Sequence, residues 1–442
     1  MKIITTVVLF CFSSIAPALA CLWDYDTVEM EREQFPSVLE ILSGKFIRHS
    51  PAFYYWRIND RENALKYNPD SLALYDDLAV AHSKLGNQRA AINIIRRKDK
   101  IKPNLYKTYA NMGTFFMLDN ELDSAVFYIQ KALEIDPNAH FGREKYQLYL
   151  AEYLIAKSKK GRLRLPLDKT VFDIPQDYYM DANPNNFYGF LLTKYNKNNQ
   201  TTVKKLPQKT LEEAIKGVTG MLHFADSNSP VLLEVLGDLL LNVGDRAAAR
   251  QLASRAYLKA SATLNPSAQK IYLNRIELLL NTQLLDEKRK QYAHLTILKM
   301  QLRIELEEGQ SYYKNIAADE LLWIRSNKNV DKEFANKYYN APKVAPISES
   351  LKEIKLLKDS IENKYPERTL IELMLAKDTL NDRAKSILDS LFSIPDTIIE
   401  SEIKSTTPDS KSMPYLKYIV ALVALLSIIL VIKKSKTTKS QS

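Results

Sequence analysis

An all-α fold is what this sequence predicts: an α-solenoid of stacked helical hairpins, broken by one irregular insertion and followed by a C-terminal transmembrane helix. Three observations carry that reading. Pro69, Pro103 and Pro137 recur 34 residues apart, each behind a stretch of helical period. Only 11 of the 442 residues are glycine, too few for the turns of a β-rich or doubly wound chain. Near the C-terminus, residues 418–432 run for fifteen positions without a charge.

From the N-terminus, residues 1–20 read as a signal peptide. Lys2 supplies the positive start, residues 3–15 a mostly apolar stretch, and Ala18-Leu19-Ala20 a small-x-small cleavage site. Cleavage there removes Cys11 and leaves Cys21 as the first residue, so no internal disulfide can form. Cys21 is a possible lipidation site, resembling the acylated first cysteine of bacterial lipoproteins. The alternative is an ordinary cleavage that leaves this cysteine, with Trp23 beside the free terminus.

Residues 21–158 form a first repeat block. In the stretch from Leu72, Tyr75, Leu78-Ala79 and Gly86 are followed by Ala91, Ile95 and Pro103. In the stretch from Tyr106, Tyr109, Met112-Gly113 and Phe116 are followed by Ala125, Ile129, Ala132, Leu133 and Pro137. Small residues let two helices approach and large ones fill the space between hairpins. The proline ends one helix and opens the next turn. A single hairpin cannot bury its apolar face, so it stacks on its neighbours. This pattern resembles the tetratricopeptide repeat family, whose 34-residue unit is two helices. The whole chain resembles a bacterial membrane-anchored member. The 106–139 unit fits over its full length, whereas the 72–105 unit carries Lys98 where a small residue is usual. Upstream, Phe53-Tyr54-Tyr55-Trp56-Arg57 reads as core and capping aromatics of the first hairpin, with a partner-binding patch as the alternative. A helix with Tyr146, Leu150, Tyr153 and Leu154 on one face closes the block.

Residues 159–209 are predicted as an irregular, ordered insertion. They hold four prolines, many asparagines and the aromatics Phe172, Tyr178, Tyr179, Phe187, Tyr188 and Phe190, too apolar for a disordered linker. A second helical block covers 210–392. One unit in it places Leu233, Leu236-Gly237, Leu240, Gly244, Ala249, Ala253 and Ala256 in the repeat roles, and a helix with Tyr272, Ile276 and Leu279 follows Pro266. A long charged helix is expected over 286–315, ended or interrupted at Gly309. More helix is expected over 316–341, 348–364 and 367–392. Residues 393–414 are a polar tether, 415–432 a transmembrane helix near the lower length limit, and 433–442 a basic tail. Lys433, Lys434, Lys436 and Lys439 without an acid put that tail in the cytoplasm. The expected location is the bacterial inner membrane, single-pass, with the body exported to the periplasm or cell exterior.

The formal charge of +10 falls to about +5 once the leader and tail lysines are set aside. No basic stripe interleaved with aromatics points to nucleic acid. The five histidines are scattered, and no HExxH, GxGxxG, phosphate loop or GxSxG occurs. No cofactor, metal or small-molecule substrate is expected, and the chain reads as no enzyme. Carboxylate pairs such as Glu212-Glu213 read as solvated helix faces. The family resemblance implies protein or peptide partners held on the concave face of the first helices. The positions carried over are Ala73, Asp76, Val80, Ser83 and Lys84 in one unit, and Lys107, Ala110, Thr114, Met117 and Leu118 in the next. Asp76, Val80, Lys84, Lys107, Thr114 and Met117 are the candidate partner-binding residues, on an exposed face that tolerates charge changes. The family's carboxylate-clamping Lys and Asn are not at the matching positions. The function read from these features is a membrane-tethered scaffold for protein–protein interactions outside the cytoplasm. An accessory subunit of an envelope enzyme or secretion complex, or an enzyme with an unrecognised site, are the alternatives.

Overall fold

A computed structural model describes residues 36–137, 142–170, 183–243, 247–281 and 295–339. Residues 1–283 with 305–347 form one compact unit, and 284–304 with 348–442 a second. In the second, residues 295–304 are described, as the start of a long helix. All that follows concerns the first.

The first unit begins with a short helix α1 (Val38–Ser43), capped by Ser37 and ended at Gly44 in the left-handed region. Then come α2 (Pro51–Tyr67), α3 (Leu72–Lys84), α4 (Gln88–Ile101), α5 (Tyr106–Leu118), α6 (Leu122–Ile135) and α7 (Arg143–Lys157). Each packs on the next along the chain. The start of α2 follows from Ser50, whose hydroxyl accepts from Phe53 N, with Pro51 in the first turn where its missing N–H costs nothing.

The 34-residue period is visible in the geometry. Tyr75 donates to the Pro69 carbonyl and Tyr109 to Asn104, each at 3.0 Å. Between the paired helices Gly86 (φ 81°) and Asn120 (φ 62°) occupy the same left-handed position, which glycine takes freely and asparagine tolerates. Ala91 and Ala125, then Ile95 and Ile129, are fully buried in the matching places. A Cβ on Gly113 would stand 2.5 Å from Ile129 Cγ1 and 3.2 Å from Ile129 N. Gly113→Leu is therefore expected to cost about 1–3 kcal/mol or more through overpacking, read as a lower Tm of the purified chain. An unchanged Tm would contradict the close α5–α6 crossing.

After α7 the stacking skips a segment. Its next neighbour is α9 (Gln208–Phe224), followed by α10 (Pro230–Leu240), α11 (Ala247–Ser261) and α12 (Pro266–Asn281). Gly237 repeats the role of Gly113: a Cβ there would lie 2.6 Å from the Tyr257 ring. Leu233, Leu236, Ala253, Ala256, Tyr272, Ile276 and Leu279 are all fully buried. The skipped segment contains a helix, α8 (Phe187–Asn199), packed on α7 and α10, where an irregular chain was expected. Phe187 and Tyr188 are buried rather than displayed.

The long helix α13 (Leu295–Arg325) runs through Gly309 without a break. Gly309 is there for close approach: a Cβ would lie 2.8 Å from the Ser43 carbonyl carbon and 3.0 Å from that of Gly44. A short helix α14 (Val330–Phe334) and a π-helical turn (Ala335–Tyr339) follow. Their aromatics close over the start of α2. Phe53, Tyr54, Ile316, Trp323, Phe334 and Tyr338 form one core with Ala81 and Phe224, so Phe53 and Tyr54 are core residues while Tyr55 stays exposed. His49 stacks on Phe53 (3.6 Å between ring centroids) and its Nδ1 hydrogen-bonds Glu320 at 2.6 Å. Arg57 donates to Asp331 at 2.6 Å.

One expectation is overturned here. Among the described residues no helix is long and apolar enough to cross a membrane, so placement as a single-pass protein of the bacterial inner membrane is withdrawn. The expected transmembrane stretch 415–432 lies outside the described residues, as do the leader, Cys21, Gly244, the helices at 348–392, the tether and the tail.

Candidate partner-binding face

The first helices of successive hairpins, α3, α5 and α7, present the face expected to meet partners. Of its six candidate residues, Lys107 alone is exposed.

Asp76 and Lys98 answer each other. They stand 34 residues before Ala110 and Ala132, which touch in the next unit and are both fully buried. Here that small apolar contact is replaced by an ion pair: Lys98 Nζ donates to both Asp76 oxygens at 2.7 Å, and Asn111 adds a bond of 3.2 Å. Burial pushes the Asp76 carboxyl up to about 6, against the pull of Lys98. Asp76 is thus the counter-charge of a buried lysine, not a residue offered to a partner.

The rest of the face is filled by the chain itself. Val80, Thr114 and Met117 are buried. Gln147 on α7 donates to Thr114 Oγ1 at 3.1 Å and approaches Met117 Sδ at 3.8 Å. Lys84 donates to the carbonyls of Phe224 and Ala225 at 2.6 and 3.3 Å. Those carbonyls end α9, where a cation satisfies orphan acceptors and complements the helix dipole. The guanidinium of Arg143 lies 5.1 Å over the Phe224 ring, and a Cβ on Gly220 would press on the Arg143 stem at 2.9 Å. The glycine lets α9 seat against α7. An open, substitution-tolerant groove is therefore replaced by an internal contact. The sequence reading missed Arg143, Gln147 and Phe224. The signal for them was the pairing of Gly217 and Gly220, three residues apart and so on one face of an otherwise bulky helix.

His223, beside Phe224, stacks edge-on against Phe46 at 5.0 Å. Burial first, then Lys84 and Arg143, hold its imidazole down to about 3, against a hydrogen bond with the Ile47 backbone. It is neutral in the folded protein at pH 7. The unfolded chain binds its proton near 6.5, so below that pH the unfolded state gains protons the folded state refuses. Stability from this residue is present above pH 6.5 and is lost toward pH 3, by about 1.4 kcal/mol per pH unit within that window. Asp76 acts in the opposite sense, since its folded carboxyl takes up a proton first as pH falls from 6 toward 4. Comparison of His223→Gln with wild type isolates the histidine: the variant is expected to lose less Tm between pH 7 and 4.5. An equal loss would show that His223 protonates freely in the fold.

Among the described residues no group of three or more His, Cys, Asp or Glu side chains could hold a metal ion.

Residues 106–139, which take in the α5–α6 hairpin, match the tetratricopeptide repeat. The chain is also 31% identical over 75 residues to the small glutamine-rich tetratricopeptide repeat-containing protein 2 of Mycosarcoma maydis. That alignment takes in 17% of this chain and spans about a fifth (21%) of the relative's length. By its helical hairpins, its 34-residue period and these two matches, the chain is similar to the tetratricopeptide repeat proteins, with the likeness centred on 106–139.

Proposed function

We propose that this protein is a helical scaffold that binds protein partners rather than a catalyst acting on them. The observation that carries this reading is the repeat hairpin at 106–139 within a longer stack of helical hairpins. Stacked arrays of this kind present extended surfaces to other chains. Because Val80, Thr114 and Met117 are buried and Lys84 is engaged with α9, capture uses surfaces outside the filled face. The test is crosslinking of the tagged full-length chain in its native cells, followed by mass spectrometry against a tag-only control. Recurrent protein partners enriched over the control are expected. A chain that crosslinks to nothing above the control would overturn the reading.

A further inference from the structure

The segment 157–170 (KSKKGRLRLPLDKT) carries six cations in fourteen residues, with Asp168 as its one acid. Asp168 is turned inward and spent. Its oxygens accept from Thr170 Oγ1 at 2.6 Å and Asn183 at 2.7 Å, and Arg275 lies 3.3 Å away. The cations face outward around a cavity of about 540 Å³. Lys157, Lys159, Arg162, Arg164 and Lys169 line it, with Asn185 and the already engaged Asp168. Among the described residues no carboxylate forms an ion pair with any of those five.

Two features hold this charge in place against its own repulsion. Lys159 and Arg162 exchange both backbone hydrogen bonds at 3.1 Å across a two-residue turn, Lys160 and Gly161, both in the left-handed region. That geometry sets two like charges directly opposite each other, an arrangement that disfavours the empty state. Farther along, the amides of Leu167 and Asp168 donate to buried Glu234 at 2.9 and 3.2 Å, so the wall is anchored to the core. An anchored cavity whose five cations pair with no carboxylate among the described residues is preorganised for anions.

We propose that this cavity docks an acidic, glutamate-rich stretch of a protein partner. The proposal rests on the scaffold reading for the nature of the partner and adds where and by what chemistry it is held. A polypeptide is favoured over a compact phosphate by the apolar part of the wall: Ala156, Pro166 and Leu167 offer contact to glutamate methylenes, which a phosphate lacks.

The test is fluorescence anisotropy of labelled octaglutamate on the full-length chain at low salt, with octaglutamine as the uncharged probe. Octaglutamate is expected to bind, octaglutamine not to, and binding to weaken as salt screens the charges. Arg162→Glu with Arg164→Glu is expected to weaken octaglutamate at least tenfold. Arg162→Gln with Arg164→Gln, with circular dichroism and Tm checked in both, is expected to give an intermediate loss. Binding unchanged by either pair would overturn the site. Displacement of the peptide by inorganic phosphate or by an oligothymidylate of equal charge, at lower concentration than by unlabelled octaglutamate, would overturn the polypeptide assignment. The two readings fail separately. Crosslinked partners without peptide binding sink the cavity alone, whereas absence of any crosslinked partner sinks the scaffold.

Discussion

Replacing Arg275 with methionine is expected to destabilise the protein by about 3–5 kcal/mol, the cost of stripping the partner from a buried charge cluster. Arg275 is 1% exposed and lies 3.3 Å from both Glu234 and Asp168, which are themselves 0% and 3% exposed. Asp238 is close by, accepting from Tyr257 at 2.7 Å and from the Phe187 amide at 3.2 Å. Three acids thus share one guanidinium. Tyr272, at 2.7 Å from Glu234, helps to solvate the group. Methionine matches the arginine stem in bulk, so the loss is electrostatic rather than a cavity. It should appear as a Tm lower by on the order of 10 °C. The variant has a further signature. Burial, then repulsion from Glu234, already raises the Asp238 carboxyl, and Arg275 opposes them. Without Arg275 the folded state should take up protons more readily still. The gap between variant and wild type should then narrow as pH falls from 7 toward 5. A gap that is constant or widens would mean the acids are not mutually uncompensated.

Gly309→Ala is expected to destabilise the protein although it adds a single methyl. In an open helix this change would help by about 1 kcal/mol. Here the added Cβ would meet the backbone of Ser43 and Gly44, which cannot rotate away as a side chain can. Overpacking at the top of its usual range, about 3 kcal/mol, outweighs the propensity gain. The displacement would also disturb the Lys45–Glu308 ion pair alongside. A Tm at or above wild type for Gly309→Ala would show that α13 does not lie against α1 as described.

The hairpins were legible because their causes are local. Tyr75 and Tyr109, Gly86 and Asn120, Ala91 and Ala125 each do in one unit what the other does 34 residues later. Lys98 was legible only as an anomaly. Its explanation needed Asp76 to be read as its counter-charge, and both depart from the alanines of the following unit together. That joint departure was the available signal. Gly309 was misread because a glycine inside a helical pattern carries the same letter whether it ends the helix or admits a neighbour. The filling of the first-helix face was hidden for a different reason. Lys84 meets Phe224 across 140 residues, and nothing in the periodicity of either helix encodes the meeting. The cationic segment was legible as charge density, but its rigidity depends on Glu234, 67 residues beyond Leu167.

The closure of α2 by the chain from α13 to the π-helical turn has a consequence for the order of events in synthesis. Arg57 and its partner Asp331 are 274 residues apart. At translation speeds of roughly 5–20 residues per second, that separation is on the order of 15–50 s. Local hairpin formation is faster by many orders of magnitude. The early hairpins can therefore assemble on the ribosome while His49, Phe53 and Tyr54 still lack their cover. During that interval the nascent protein exposes an aromatic face that the finished one does not, and the last contacts to form are those that seal α2.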